Sequence, residues 1–256
     1  MMPKATVRTI YDWLNTVAPF DTQEEDDNSG LLVGSMNMDV QSVLLALDVT
    51  PGVLEETASL DAQLIIAHHP LMFAPVQVIT DDAYEGSLVA RLIRDRRSLI
   101  AAHTNADQSE YSGTRAVAEL LGLTNLQREG PYVWAGDLPE PATVHALVQH
   151  AQCVLGGTPV AHGAGERVVR TLAIAGGSYS QGYAEAARLG AQALLTGEVR
   201  HHHALYANAA GVTLIAAGHA ETEMPMLPRL ARGLQTHLNN VQCKAAVHVS
   251  SVHPYG

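Results

Sequence analysis

The chain has 256 residues, a net charge of −11 and a hydrophobic content of 47%, which is typical of a globular protein with a substantial core. Its acidic balance argues against a broad electrostatic surface for nucleic acid or for an anionic membrane. No apolar stretch approaches membrane-spanning length and the N-terminus lacks a signal-peptide apolar region, so a cytoplasmic protein is expected. The low charged fraction, 16%, favours burial of some surface between subunits.

The first half of the chain alternates predicted strands and helices. Apolar residues at helical spacing predict an amphipathic helix over 7–17, which Pro19 ends. A polar loop then leads into a short strand within 28–34. Further along, the pattern predicts strands at 43–49, 64–67 and 99–102 and helices at 52–60, 87–94 and 114–121. Such alternation predicts a parallel or mixed sheet with helices on its faces.

A Gly130-Pro131 pair separates two comparable patterns and marks the predicted domain boundary. We therefore expect two α/β domains, 1–130 and 131–256, with the final segment packing back on the first. The second half predicts a strand at 132–138, a helix at 143–152, strands at 168–175, 193–196 and 212–217 with helices between them, a helix at 226–238 and a closing strand at 245–250.

Adjacent histidines end one of the predicted strands. His68-His69-Pro70 follows the apolar run at 64–67. Successive side chains of a strand face opposite ways, so both histidines cannot point into the core, and Pro70 cannot continue the ladder. Open α/β sheets bind ligands at this end of their strands. An isolated histidine pair is more often part of an ordinary loop, so the interpretation depends on other clusters.

Two more predicted strands end in similar side chains. His103 and Asp107 follow the apolar run at 98–102, and His219 and Glu223 follow the run at 212–218. The second pair is four residues apart, so a helix beginning there places both on one face. Neutral imidazole and carboxylate suit zinc, iron, nickel and manganese. Because the candidate ligands exceed what one tetrahedral ion needs, the pattern favours a two-metal site.

Six short motifs occur in order along almost the whole chain: Asp27-Asn28-x-Gly30-Leu31, Leu47-Asp48-Val49-Thr50, His68-His69-Pro70-Leu71, His103-Thr104-Asn105-x-Asp107, Thr196-Gly197-Glu198 and His219-x-x-Thr222-Glu223. Each motif alone has little specificity, but the ordered set is highly specific. It closely resembles the Nif-three-like family, whose members are commonly named GTP cyclohydrolase I type 2 homologs.

The resemblance implies a fold of two α/β domains, a ring-shaped homohexamer and a two-metal centre that faces an internal cavity. The metal ligands that it implies by position are His68, His69, Asp107, His219 and Glu223. Asp107 would bridge the two ions. His103 matches a family histidine close to the metals, and the resemblance implies an outer ligand or a proton carrier there.

The chain departs from the family pattern within or beside three of these motifs. The family often has Trp before the Asp-Asn pair, where this chain has Asp26. A bulky residue is common before the bridging Asp, where Ala106 stands, and a Tyr after the last motif's histidine, where Ala220 stands. The ligands are kept while the cavity wall differs, so the departures bear on the substrate rather than on metal binding.

Three other sequence features each allow two interpretations. Gly176-Gly177-Ser178 is typical of an anion site at a helix N-terminus or of a plain tight turn. His201-His202-His203 is either a solvated helix start or an outer partner of the metals beside Glu198. Asp48 either orients a histidine or caps its strand. The two cysteines, Cys153 and Cys243, lie in apolar contexts without CxxC spacing and are expected to be buried.

The leading hypothesis is a metal-dependent hydrolase, because two divalent ions would supply hydroxide near neutral pH. His103 or Glu198 would then move protons. The family's naming indicates ring opening of GTP, or action on another nucleotide or related small molecule. Two alternatives use the same ligands and stay open: a non-catalytic metal-binding scaffold or regulatory protein, and a phosphoesterase. A GxxxxGK[ST] phosphate loop does not occur in the sequence.

Overall fold

The computed structural model describes residues 4–255, and the chain forms two compact units. The first unit comprises the described residues up to Tyr111 together with those from Leu227 onward, and the second is Ser112–Met226. Gly130 and Pro131 form the turn between two paired strands inside the second unit. The predicted domain boundary at 130/131 concerns which segments fold on their own. The division into compact units does not test it, so it stays a prediction.

The elements follow in chain order. The first unit begins with β1 (Ala5–Thr6), α1 (Val7–Val17), β2 (Gly30–Val33), β3 (Asp39–Val40), β4 (Ser42–Ala46), α2 (Pro51–Ser59), β5 (Leu64–Ala67), α3 (Tyr84–Arg94), β6 (Ser98–Ala101) and α4 (Thr104–Asp107). The second unit contains α5 (Gly113–Leu120), β7 (Thr124–Glu129), β8 (Val133–Thr143), α6 (Val144–Leu155), β9 (Val160–His162), β10 (Val168–Ala175), α7 (Tyr183–Arg188), β11 (Ala193–Thr196), α8 (His201–Ala209), β12 (Thr213–Ala216) and α9 (His219–Glu223). The chain returns to the first unit through α10 (Met226–Asn240) and β13 (Ala246–Val249).

The first unit is built on a five-stranded sheet in the order β13-β4-β5-β6-β2. Its first four strands are parallel, and β2 runs antiparallel to β6. The central strands are apolar and buried on both faces, as parallel strands covered by helices must be. Ala67 pairs with Ala101, so the residues that follow β5 and β6 emerge side by side.

The second unit has a six-stranded mixed sheet in the order β7-β8-β10-β11-β12-β9. The three central strands are parallel, and Ala175, Thr196 and Ala216 lie in one register across their carboxyl ends. Antiparallel strands complete both edges. The segments that follow β10, β11 and β12 therefore converge at one edge of this sheet, where the sequence places a glycine pair, Glu198 and His219.

The predicted fold class, two α/β units with parallel or mixed sheets flanked by helices, is confirmed. The prediction of two buried cysteines is wrong for Cys153, which is exposed, whereas Cys243 is buried. On α6 the buried positions are Val144, Leu147 and Ala151, and Cys153 lies off that face. The apolar neighbours of Cys153 in sequence belong to a different side of the helix.

Candidate metal centre

Three imidazoles meet at the carboxyl ends of β5 and β6 in the first unit. The side-chain nitrogens that His68, His69 and His103 offer as ligands all lie within 4.8 Å of one another. Their ring centroids are 4.9 Å, 5.2 Å and 5.5 Å apart. Asp107 lies beside this group, since one of its carboxylate oxygens is 3.7 Å from Nε2 of His68. The structure thus brings together four of the predicted site residues.

Each of these imidazoles has its Nδ1 directed at an oxygen that can only accept. Nδ1 of His68, whose residue is 2% exposed, donates to the Ala102 carbonyl oxygen at 2.9 Å. Nδ1 of His69 donates to Oδ1 of Asp48 at 2.9 Å. In each case the hydrogen bond fixes the proton on Nδ1 and leaves Nε2 as the nitrogen with a lone pair. An imidazole so oriented is ready to bind a cation through Nε2. Of the two roles considered for Asp48, orienting a histidine is the one that this contact supports.

Asp27 orients His103 in the same way that Asp48 orients His69, a role that the sequence analysis does not predict. Nδ1 of His103 donates to Oδ1 of Asp27 at 2.8 Å, and the Asp27 side chain is 2% exposed. Burial alone would raise the pKa of Asp27. Hydrogen bonds from His103 and Thr104, the charge of His103 and the backbone N–H of Asn28 outweigh burial and hold that pKa well below its ordinary value. Asp27 is therefore an ionised acceptor behind His103.

The short helix α4 holds Asp107 in place beside the imidazoles. Buried Asn105 on this helix donates from Nδ2 to the Ala18 carbonyl oxygen at 2.7 Å. Gln108, just after the helix, donates from Nε2 to the Thr22 carbonyl oxygen at 2.7 Å. The two anchors tie α4 to the segment after α1, so the position of Asp107 depends on contacts that no local motif reveals.

A second pair of candidate ligands lies in the second unit, on α9. Nε2 of His219 is 3.2 Å from Oε2 of Glu223, one turn further along the helix, as the spacing of four predicts. Glu223 is 5% exposed. Nδ1 of His219 donates to Oε1 of Glu198 at 2.6 Å. Glu198 therefore stands behind His219 in the way that Asp27 stands behind His103.

Glycines make room for this pair. A Cβ on Gly177, whose φ is +60°, would overlap Oε1 of Glu223, and a Cβ on Gly197 would lie 2.8 Å from Cα of His219. The backbone N–H of Gly177 also donates to Oγ1 of Thr222 at 3.0 Å. The Gly176-Gly177 pair is a turn that gives Glu223 its place, and this favours the tight-turn reading of the sequence over the anion site.

The three consecutive histidines at the start of α8 are not members of the candidate ligand groups. His201 and His202 are exposed, and Nδ1 of His203 lies 2.8 Å from Oγ of Ser180. Burial, together with the positive charges of His202 and Arg200, lowers the pKa of His203. Within residues 4–255, none of the three belongs to a group of side chains with metal-ligand spacing.

The donor chemistry of both groups fits a divalent transition ion. Imidazole nitrogens and carboxylate oxygens are the ligands that zinc, iron, nickel and manganese share. The ligand nitrogens of the histidine group in the first unit have the spacing of a metal site. In the part of the chain that the structure describes, no helix has both the length and the apolar character needed to cross a membrane.

Comparison with known families and proteins gives a consistent result. The model of the family described as Duf34/NIF3 (NGG1p interacting factor 3) matches residues 5–255. A Helicobacter pylori J99 protein named GTP cyclohydrolase 1 type 2 is 34% identical over 225 residues, which are 86% of this chain and 87% of that protein. A Clostridium perfringens protein named GTP cyclohydrolase 1 type 2 homolog is 28% identical over 241 residues, covering 90% and 92%.

Solved structures show the same fold. A Bacillus cereus protein related to NIF3 matches with a TM-score of 0.93 at 21% identity, over 98% of each chain. A hypothetical protein from Staphylococcus aureus matches with a TM-score of 0.91 at 25% identity, over 98% of this chain and 97% of that one. These likenesses extend over both units of the chain.

Proposed function

Because the chain belongs to the Duf34/NIF3 family, we propose that it is a hydrolase that binds two divalent transition ions and acts on a nucleotide or a related small molecule. One observation carries the proposal. Nδ1 of each of four histidines, His68, His69, His103 and His219, lies within hydrogen-bond distance of an oxygen acceptor. All four imidazoles make this contact through Nδ1. A shared use of Nδ1 favours cation binding through Nε2 over four unrelated structural contacts.

The proposed metal ligands are His68, His69, Asp107, His219 and Glu223. The nitrogen and oxygen donors favour zinc, iron, nickel or manganese over calcium, which takes oxygen ligands. Asp107 is the proposed bridge, because a carboxylate offers two oxygens and one of them already lies beside Nε2 of His68.

When bound, the two ions would supply Lewis acidity and a source of hydroxide near neutral pH. The chain itself supplies the proton carrier. His103 is the proposed carrier at Nε2, because Asp27 holds its other nitrogen and because the five ligands do not need it. Glu198 is the second candidate; its Oε1 accepts from His219, so it also positions that imidazole.

The proposed substrate class follows from the relatives named GTP cyclohydrolase 1 type 2. In that reaction water adds across a bond of the purine five-membered ring, which opens. The departures at Asp26, Ala106 and Ala220 lie within or beside the site motifs, so GTP is one member of the class and other nucleotides belong in the same screen.

A screen of the metal-loaded protein tests the proposal. The protein is reconstituted separately with zinc, iron, nickel and manganese and given GTP, other nucleotides and simple phosphoesters. Ring opening changes the purine absorbance without release of inorganic phosphate, and this is the expected result. Phosphate release would identify a phosphoesterase instead. Full metal occupancy without turnover of any substrate would favour the scaffold or regulatory protein.

The proposed assembly is a homohexamer, which rests on the family resemblance and on the low charged fraction of 16%. Light scattering should report six times the 27.3 kDa of one chain. A monomer at micromolar concentration would contradict it. The cytoplasmic location stays a prediction from the sequence.

A further inference from the structure

A groove of about 540 Å³ lies in the first unit, along one face of α10. Arg229, Arg232 and Thr236 line it, and their spacing of three and four residues places them on the same side of the helix. Leu230, Leu234 and Leu238 occupy the opposite, buried side. The amphipathic helix therefore packs by its leucines and presents two guanidinium groups to the groove.

The floor of the groove is aromatic and tightly packed. Trp13, 8% exposed, stacks against the imidazole of His237 with ring centroids 6.0 Å apart and meets the ring of Tyr111 edge-on at 5.9 Å. Tyr111 in turn lies against the backbone of Gly233, where an added Cβ would be 2.5 Å from its hydroxyl. The walls that carry the arginines are thus held by packing rather than by the arginines themselves.

The groove is a local exception to the charge of the chain. The protein carries a net charge of −11, yet the described residues that line this groove include no carboxylate. Within residues 4–255 the exposed guanidinium of Arg232 makes no hydrogen bond or ion pair, whereas Arg91 and Arg188 pair with Asp95 and Glu129. A cationic groove in an acidic protein selects anions, because the surrounding surface repels them elsewhere.

We propose that this groove binds the phosphate group of a small phosphorylated molecule. A guanidinium group binds phosphate oxygens through two parallel N–H donors, and Arg232 offers such a pair to the groove, with Arg229 one helical turn away. The side chains of His237 and Asn240 add further polar groups at the same face. The volume suits a metabolite-sized ligand, since small-molecule sites span roughly 300–1,000 Å³. This site is independent of the proposed metal ligands.

Calorimetric titration of inorganic pyrophosphate into the full chain tests the proposal. The protein is first treated with EDTA, so that metal ions cannot bind the pyrophosphate. Arg232→Ala should raise Kd roughly tenfold or more, the scale of losing a charge-assisted hydrogen bond. Arg8→Ala removes an equal charge at an exposed position of α1 outside the groove and should change Kd less than twofold. Arg232→Lys should fall between, because it keeps the charge and loses the paired donors.

Three results would overturn the proposal. One is the absence of pyrophosphate binding up to millimolar concentration in the EDTA-treated wild type. Another is equal weakening by Arg8→Ala and Arg232→Ala, which would mean a general charge effect. The last is binding that returns only with added metal, which would place the phosphate at the metal ligands. Arg232 is exposed, so its variant is expected to fold and to test the site directly.

Discussion

In the first unit the imidazoles of His68, His69 and His103 follow two adjacent buried strands, whereas in the second unit His219 and Glu223 lie one turn apart on a five-residue helix. Both units fix a histidine tautomer with an acceptor at Nδ1. The acceptors differ: the side chain of Asp27 is 2% exposed, and that of Glu198 is 58% exposed. The first unit therefore holds His103 with a buried carboxylate, and the second unit depends on helix geometry and on space left by glycines.

The largest expected effect comes from the carboxylate of the first unit. Asp107→Ala should lose at least one of the two proposed ions, because it removes the oxygen donors that are proposed to bridge them. Elemental analysis after reconstitution measures the metal content per chain. Asp82→Ala, at an exposed aspartate, is the matched control and should keep both ions. Unchanged metal content in Asp107→Ala would mean that the bridge is assigned to the wrong residue.

His103 lies among the imidazoles of the first unit but outside the proposed ligand set, so its variant separates ligand from proton carrier. His103→Ala should keep both metals and lower turnover roughly 100-fold or more, the scale of losing a general acid or base. His150→Ala, an exposed histidine on α6, should leave turnover unchanged. Loss of metal from His103→Ala would make His103 a ligand and leave Glu198 as the proton carrier.

The glycine turn of the second unit gives the next largest effect. Gly177→Ala should weaken binding of the ion proposed for His219 and Glu223, by roughly 10- to 100-fold, because the new Cβ overlaps Oε1 of Glu223. Gly190→Ala is the control: its φ of +74° carries similar backbone strain, but no atom lies within 4 Å of the added Cβ. Competition with a chelator measures both affinities. Equal losses in the two variants would show that backbone strain, not the position of Glu223, is responsible.

Much of this comparison could be predicted from local sequence. Apolar runs located β5, β6 and β12, and the histidines that follow them were predicted at strand ends, where the structure has them. The i, i+4 contact of His219 with Glu223 followed from helix spacing alone. The polar hairpin strand β7 was missed, because its residues are mostly exposed and show no apolar alternation.

What could not be predicted depends on long-range contacts. Asp27 reaches His103 across 76 residues, and Glu198 reaches His219 across 21. No local pattern reports such pairs, so Asp27 had no assigned role and Glu198 was considered only as a proton carrier. The positive φ of Gly177 matters because of Glu223, which is 46 positions further along the chain.

The smallest expected effect compares two acceptors that differ mainly in exposure. Asp48→Asn should weaken metal binding about tenfold, because the neutral amide no longer fixes Nδ1–H of His69 as strongly. Glu198→Gln should cost less, since water can replace a carboxylate that is 58% exposed more easily than one that is 33% exposed. The reverse order would show that contact length decides, because the Glu198–His219 contact is shorter, at 2.6 Å against 2.9 Å. Chelator competition with zinc at fixed pH distinguishes the two outcomes.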